Sequence, residues 1–367
     1  MFDRSIRSLR LSFSPTQRLV VISDLHANLP VLKELLQKIN YQENEDELIL
    51  LGDLLEKGKY NLATLYYIME ISKNPHVHPM IGNCDFVCLN IFHHHRLDFL
   101  LDILLKRKYS IIHEMAKLVN FSITKDCNME ILANLLIKNF PKELAFINSL
   151  PHVIESEDYI FAHAAILNEH TYGESTRDVM THQLFLEEDY HFHKYVIVGH
   201  LPVSEYCNRI ASFQPIIDED KKIICIDGGN VVKESGQLNA FLIQNHQFSS
   251  IYVDTLVRKE IRLDYEEPTI DPFFITWHHS EIQILKENAT RAYCYHVASK
   301  RCLWIPHSFI YQARDKKLHA PNYTTYHMPV HKGDHVGIIS YNGDEVYIKK
   351  AGILGWIPTA CLQEHDS

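Results

Sequence analysis

Five short apolar runs punctuate the first two hundred residues, and each stops abruptly at a residue able to bind a metal or a proton. Leu19-Val20-Val21-Ile22 runs into Ser23-Asp24-Leu25-His26, and Leu48-Ile49-Leu50-Leu51 into Gly52-Asp53. Met80-Ile81 runs into Gly82-Asn83-Cys84-Asp85, Tyr159-Ile160-Phe161-Ala162 into His163, and Tyr195-Val196-Ile197-Val198 into Gly199-His200. Continuous apolar runs of this length predict strands buried on both faces, as in parallel sheets. Residues 31–39 and 62–71 carry helical apolar spacing between the runs, so 17–85 reads as alternating βαβ units. In such sheets the loops beyond the carboxyl ends of the strands hold the ligands.

Residues 86–150 break that rhythm. They read as helical near 88–105, 109–119 and 128–149, an insertion expected to form a cap or wall beside the pocket. Further strand candidates follow at 222–227, 238–243 and 249–255. Segment 263–272 is acidic with two prolines and reads as a linker, closing a first domain over 1–262. Beyond it, Leu303-Trp304-Ile305-Pro306-His307-Ser308-Phe309-Ile310 is echoed by Gly355-Trp356-Ile357-Pro358-Thr359-Ala360-Cys361-Leu362. Short alternating strands precede each copy, and Asn342-Gly343 marks a hairpin turn. Two small β-barrels in tandem, over 273–320 and 321–367, are expected.

Composition narrows the function classes. A chain of 367 residues with charged content of 22% and a formal charge of −10 describes an ordinary acidic globule. It carries no basic footprint for a nucleic acid polymer, whereas a small anion at a metal is unaffected. Residues 1–15 lack the apolar core of a signal peptide, and the charges within 97–121 argue for amphipathic helices rather than a membrane span. Eight cysteines without a CxxC pair fit reduced thiols, hence a cytoplasmic location. His93-His94-His95 reads as a solvated helix face within the insertion.

The strand-end residues together form a donor set. Asp24 and His26, two apart, can reach one cation in an extended turn, and carboxylate oxygen with imidazole nitrogen suits Mn²⁺, Fe or Zn²⁺. Asp53 is placed to bridge two cations, with Asn83, His163 and His200 completing the second. Two divalent ions about 3.5–4 Å apart activate water and clamp a phosphoryl oxygen for in-line attack.

This order of motifs resembles the calcineurin-like metallophosphoesterase superfamily, whose signature is DxH, GD, GNH(D/E), H and GH, over roughly residues 17–260. The resemblance implies an α/β fold: a four-layer α/β/β/α sandwich with a helical insertion, followed here by the small all-β barrels. Gly52-Asp53-Leu54-Leu55-Glu56-Lys57-Gly58 is similar to GDxVDRG of the bacterial phosphoprotein phosphatases and their symmetrical diadenosine-tetraphosphatase relatives. Phe161-Ala162-His163-Ala164-Ala165-Ile166 is similar to FVHAGI, Val198-Gly199-His200-Leu201-Pro202 to FGHTP, and Ile226-Asp227-Gly228-Gly229 to the later IDTG strand end. It implies two divalent ions, Mn²⁺ first among them, on Asp24, His26, Asp53, Asn83, His163 and His200. Pro202 stands where many superfamily phosphodiesterases have a further histidine, so the first ion is expected to keep more water.

Three departures bear on the substrate. Cys84 replaces the motif histidine that protonates the leaving oxygen; it either supplies a weak acid or only fills space. Lys57 replaces the phosphate-gripping arginine, with Glu56 expected to orient it or the Cys84 loop, or simply to form a solvated ion pair. Arg177, the sole arginine between His163 and His200, is the candidate second phosphate ligand. The echoed C-terminal motif resembles the GWIPxxYV ending of SH3 domains, with Phe309 and Cys361 at the tyrosine position. It implies a protein or peptide partner, with packing of Trp304 and Trp356 as the plainer alternative. The expected function is hydrolysis of a phosphomonoester or phosphoanhydride, the substrate being a phosphoprotein or nucleotide. Dinucleoside-polyphosphate hydrolysis and phosphodiester cleavage are the alternatives, and a binding scaffold with a degenerate metal site is the alternative outside enzymology.

Overall fold

A computed structural model describes residues 5–14 and 16–363, in two compact units. The first four residues and Pro15, part of the stretch read for a signal peptide, and the last four of the second repeat lie outside the described residues. The first unit runs to Pro202 and resumes at Pro215–Asp254. In chain order its elements are β1 (Ser8–Arg10), β2 (Leu19–Ile22), α1 (Leu29–Lys38), β3 (Glu47–Leu50), α2 (Asn61–Ile71) and β4 (Val77–Pro79). The insertion follows as α3 (Phe86–Phe92), α4 (Leu97–Leu104), α5 (Ile111–Leu118), α6 (Met129–Asn139) and α7 (Pro141–Ser149). Then come β5 (Val153–Glu155), β6 (Tyr159–Ala162), α8 (Thr176–Met180), β7 (Tyr195–Val198), β8 (Ile216–Asp218), β9 (Ile223–Cys225), β10 (Leu238–Gln244) and β11 (Gln247–Val253).

Two sheets result, ordered β11-β10-β2-β3-β4 and β1-β5-β6-β7-β9-β8. The parallel pairs β2–β3 and β3–β4 expected over 17–85 are present, and β6–β7 and β7–β9 are parallel as well. Register explains the core. Phe241, Val21 and Ile49 lie side by side across the first sheet, and Ile154, Phe161, Ile197 and Ile224 across the second. All seven join one buried cluster between the sheets. The alternate residues Val20, Ile22, Leu48 and Leu50 are also fully buried, so both faces of β2 and β3 are covered. Helix α1, started by Pro30 in its first turn, buries Val31, Leu32, Leu35 and Leu36 at helical spacing.

The insertion has five helices where three were expected. Arg96, at φ +51°, breaks the first segment ahead of α4. Pro141 lacks the N–H that would continue α6 and instead opens α7.

The second unit comprises Val203–Gln214 and the chain from Thr255. Its strands are β12 (Val257–Glu260), β13 (Glu281–Glu287), β14 (Arg291–His296), β15 (Arg301–Pro306), β16 (Tyr311–Gln312), β17 (Leu318–His319), β18 (His335–Asn342), β19 (Glu345–Lys350) and β20 (Ile353–Pro358). They form sheets β15-β14-β13-β17-β16 and β12-β18-β19-β20. The division expected at 262 falls elsewhere. Strand β12 pairs with β18, and Ile261 shares a core with Val336, Ile348 and Ile357. Tyr265, inside the expected linker, exchanges both backbone hydrogen bonds with Val330. Residues 203–214 belong here because Ala211 and Phe213 enter the same core as Trp356. Apolar contacts outside the local sequence made these reassignments.

The echoed motif has a structural counterpart. Each copy is a strand ending in a proline at φ −60°, ψ 140°, followed by a short 3₁₀ turn. The two tryptophans part company: Trp356 is 2% exposed, stacks on Tyr347 and donates its indole N–H to the Thr324 carbonyl, whereas Trp304 is 37% exposed.

Candidate metal centre

The turns after the strands are sharp enough to force side-chain-bearing residues into left-handed backbone. Asp24, His26, Asp53 and His200 have φ of +55°, +46°, +48° and +69°. Each such residue costs about 1–3 kcal/mol and persists only where its surroundings hold it. Here the loops brace one another: His26 N–H donates to the Asp53 carbonyl at 2.9 Å, and His200 N–H to Asp24 Oδ2 at 2.9 Å. Asn230 donates to the carbonyls of Asp24 and Leu25. Gly52 and Gly82 allow two of these loops to touch, since a Cβ on Gly82 would sit 2.1 Å from Asp53 N.

All six expected ligands come together in this unit. His163 Nε2 lies 3.0 Å from Asn83 Oδ1 and 3.3 Å from Asp53 Oδ1, and its ring is 5.1 Å from that of His200. His26 Nε2 lies 3.8 Å from both Asp24 Oδ1 and Asp53 Oδ2. Ligand atoms of Asp24, Asp53 and His163 fall within 4.8 Å of one another, and so do those of His26, Asp53 and Cys84.

These residues fit divalent ions on the structure's own terms. His163 Nδ1 donates to the Leu51 carbonyl at 2.9 Å, which turns the Nε2 lone pair toward the two oxygens. Orientation of a ligating imidazole by a backbone carbonyl is the usual arrangement at metals. Three acceptors that face one another in a dry site require a cation or a proton between them. Asp24 Oδ1 and His26 Nδ1, both buried, have no hydrogen-bond partner.

The electrostatics state the same demand. Burial raises Asp24 and pushes Asp227 well up, the latter with help from Asp24. Burial and then Asp53 push Asp85 to about 7, although it accepts the N–H groups of Leu54, Leu55 and Gly82. Burial opposes ionisation of Asp53 too, yet His163, His26 and Lys57 hold its carboxyl well below the usual range. Burial lowers His26 and His200 to about 3, keeping both imidazoles neutral. Burial also lowers His163, but Asp53 and Asp24 outweigh it and raise the ring. A crowd of buried carboxylates beside neutral imidazoles is what a bound cation stabilises.

The remaining expected residues separate. Cys84 is buried, its N–H held by Asp53 Oδ1 at 2.7 Å. Burial and then Asp53 push its thiol well up. Glu56, expected to orient Lys57 or the Cys84 loop, and Lys57 both occupy left-handed backbone, at φ +74° and +64°. Lys57 Nζ turns to His26 Nε2 at 3.3 Å, beside the Asp53 and Asp24 carboxylates. Glu56 is wholly buried rather than solvated and takes Arg107 on Oε2, with Ser110 Oγ and Ile111 N–H on Oε1. Arg177 reaches an open cavity of about 530 Å³ that is also lined by Asn83, Arg96 and Arg107. His95 lines it too, while His93 and His94 bond to Asn148 and Glu130.

Sequence reasoning missed Arg107 and Asp85. Arg107 counted only as a charge excluding a membrane span, and indeed no described helix is long and apolar enough to cross one. Its signal was the basic run Lys106-Arg107-Lys108 within the insertion.

The chain is 38% identical over 73 residues to a symmetrical bis(5'-nucleosyl)-tetraphosphatase of Marinomonas sp. (strain MWYL1), covering 20% of this chain and 26% of that one. It is 37% identical over 65 residues to the enzyme of the same name from Haemophilus ducreyi, covering 18% and 23%. The matches thus span about a quarter of these curated relatives. A cold-active protein-tyrosine phosphatase of a psychrophilic Shewanella aligns at 15% identity and TM-score 0.44, over 68% of this chain and 83% of that one. The profile of the calcineurin-like phosphoesterases matches residues 17–214, more than half of the sequence. The chain belongs to the calcineurin-like phosphoesterases, a family of metal-dependent hydrolases of phosphoric esters.

Proposed function

We propose that this protein is a dinuclear-metal phosphatase that hydrolyses a phosphomonoester or phosphoanhydride. The observation that carries this reading is the approach of Asn83 Oδ1 at 3.0 Å and Asp53 Oδ1 at 3.3 Å to His163 Nε2, three acceptors with a cation's place between them. Asp24, His26 and Asp53 would hold one ion, and Asp53, Asn83, His163 and His200 the other. Two such ions, when bound, polarise a phosphoryl oxygen and make water a nucleophile at neutral pH. The oxygen and nitrogen donors put manganese first, with iron and zinc next. The chain's own residues hold the Asp53 carboxylate ionised and the His26 and His200 imidazoles neutral, and present Arg177 to the cavity beside Asn83. The leaving oxygen takes its proton late: the raised Cys84 thiol is protonated at neutral pH but is a weak acid. Good leaving groups, phosphoanhydrides and aryl esters, are therefore favoured.

Hydrolysis of dinucleoside polyphosphates is the second reading. Three arginines on one cavity wall together with Phe86 and Phe99 favour it, since they offer charge for several phosphates and ring surface for a base. The names of the two curated relatives point the same way. The C-terminal sheets, with their echoed strand-proline-turn, support SH3-like modules, of which Trp304 offers the exposed aromatic for a proline-rich peptide. Eight free thiols suit a reducing cytoplasm. Manganese-loaded protein is expected to hydrolyse an aryl phosphate with close to two ions per chain, and to lose both activity and metal to a chelator. Full metal content without hydrolysis of aryl phosphate, phosphopeptide or diadenosine tetraphosphate would overturn the reading in favour of a scaffold.

A further inference from the structure

Lys57 occupies the place where an arginine would grip phosphate, but its ammonium is turned away from the cavity. It faces His26 Nε2 at 3.3 Å and does not line the cavity that Asn83 opens into. A guanidinium does line it. Arg107 follows α4, fifty residues further on, and its side chain is 22% exposed. One of its N–H groups is fixed on Glu56 Oε2. The other Glu56 oxygen is saturated by Ser110 Oγ at 2.7 Å and Ile111 N–H at 2.9 Å, so this carboxylate cannot rotate without stranding buried donors. Among the described residues no second acceptor takes the remaining Arg107 donors. A guanidinium anchored by one N–H and open to the cavity with the others, beside a candidate metal ligand, is built to receive an oxyanion two N–H groups at a time.

We propose that Arg107, carried in by the helical insertion, binds the phosphoryl group of the substrate, and that Glu56 is the residue that positions it. This inference rests on the phosphatase reading above. Arg107 then also sets specificity. A phosphomonoester or terminal phosphate has three non-bridging oxygens, enough for two ions and a guanidinium. A diester has two, which the ions alone occupy.

The test uses the full chain loaded with Mn²⁺, inorganic phosphate as the binding probe, and an aryl monoester and aryl diester as substrates. Arg107→Ala is expected to weaken phosphate binding by about 10- to 100-fold, the value of a charge-assisted pair. The monoester-to-diester rate ratio should fall about tenfold with bound metal unchanged. Millimolar guanidinium should restore part of the binding, and Arg107→Lys should restore less than the native fork. Because Arg107→Ala leaves Glu56 unpaired, the double variant Glu56→Gln/Arg107→Ala removes the buried charge and must show the same phosphate defect. Glu56→Gln alone is expected to raise KM more than it lowers kcat. Native phosphate affinity in either arginine variant, or equal losses on monoester and diester, overturns the assignment of Arg107. Native protein that binds metal but neither binds phosphate nor hydrolyses either ester overturns the phosphatase reading itself.

Discussion

The ligand loops and the cavity wall of this protein are built by opposite means. Asp24, His26, Asp53, Asn83, His163 and His200 sit one or a few residues beyond a buried strand, each loop braced by its neighbour's backbone. The wall is assembled by a helical insertion whose Arg107 reaches back to Glu56 across fifty-one positions. The loops spend backbone strain to fix donor atoms, as the left-handed Asp24, His26, Asp53 and His200 show. The wall instead relies on one buried charge pair and ordinary helices. The ligand atoms are thereby fixed by the strand-end loops, and the cavity wall is joined to them through Glu56.

The sharpest way to break this contrast is at the shared ligand. Asp53→Asn should lower aryl phosphate hydrolysis by about 10³-fold or more and reduce bound metal. Full activity with full metal content would remove Asp53 as a bridge. Next comes the bracing. Asp85→Ala strands the N–H groups of Leu54, Leu55 and Gly82, which should cost about 1–3 kcal/mol in denaturant unfolding. It should also weaken metal binding by about 10- to 100-fold, and a variant altered in neither respect would show that the loops hold themselves.

Acid should empty the loops while leaving the wall intact. A proton and a metal ion compete for the same lone pair on His163, whose pKa Asp53 and Asp24 raise against the effect of burial. Metal content after equilibration should therefore fall as pH drops through the histidine range and recover on neutralisation. Occupancy independent of pH would exclude imidazole ligation. The smallest expected effect lies where loop and wall meet. Cys84→His supplies a stronger acid and should improve the ratio of alkyl to aryl phosphate hydrolysis about tenfold. An unchanged ratio would leave Cys84 as packing only.

Much of the centre was legible because its signals are local. A buried strand needs an unbroken apolar run, and a ligand at its end interrupts that run at once, so Ile22 before Ser23-Asp24 and Val198 before Gly199-His200 stand out in one dimension. The echoed Trp-Ile-Pro motif was legible for the same reason. What each copy does was not: Trp356 is buried among Tyr347, Phe309 and Tyr323, whereas the equivalent Trp304 keeps more than a third of its surface. The partners of Glu56 and Lys57 were not legible: Glu56 takes Arg107, and Lys57 faces His26. Adjacent residues in successive left-handed conformations point apart, and a sequence motif carries no φ angle.

By itself the sequence carried the alternation of strands and helices over 17–85, the parallel pairs there, the candidate donor residues and the family, because each depends on a periodicity or a short spacing. Tertiary structure alone decided which cation meets Glu56 and which residues face the cavity. It also decided that residues 203–214 and 257–262 fold with the C-terminal unit. Those outcomes turn on which apolar and charged surfaces bury one another over long chain separations, and that free energy is written in packing, which no local pattern encodes.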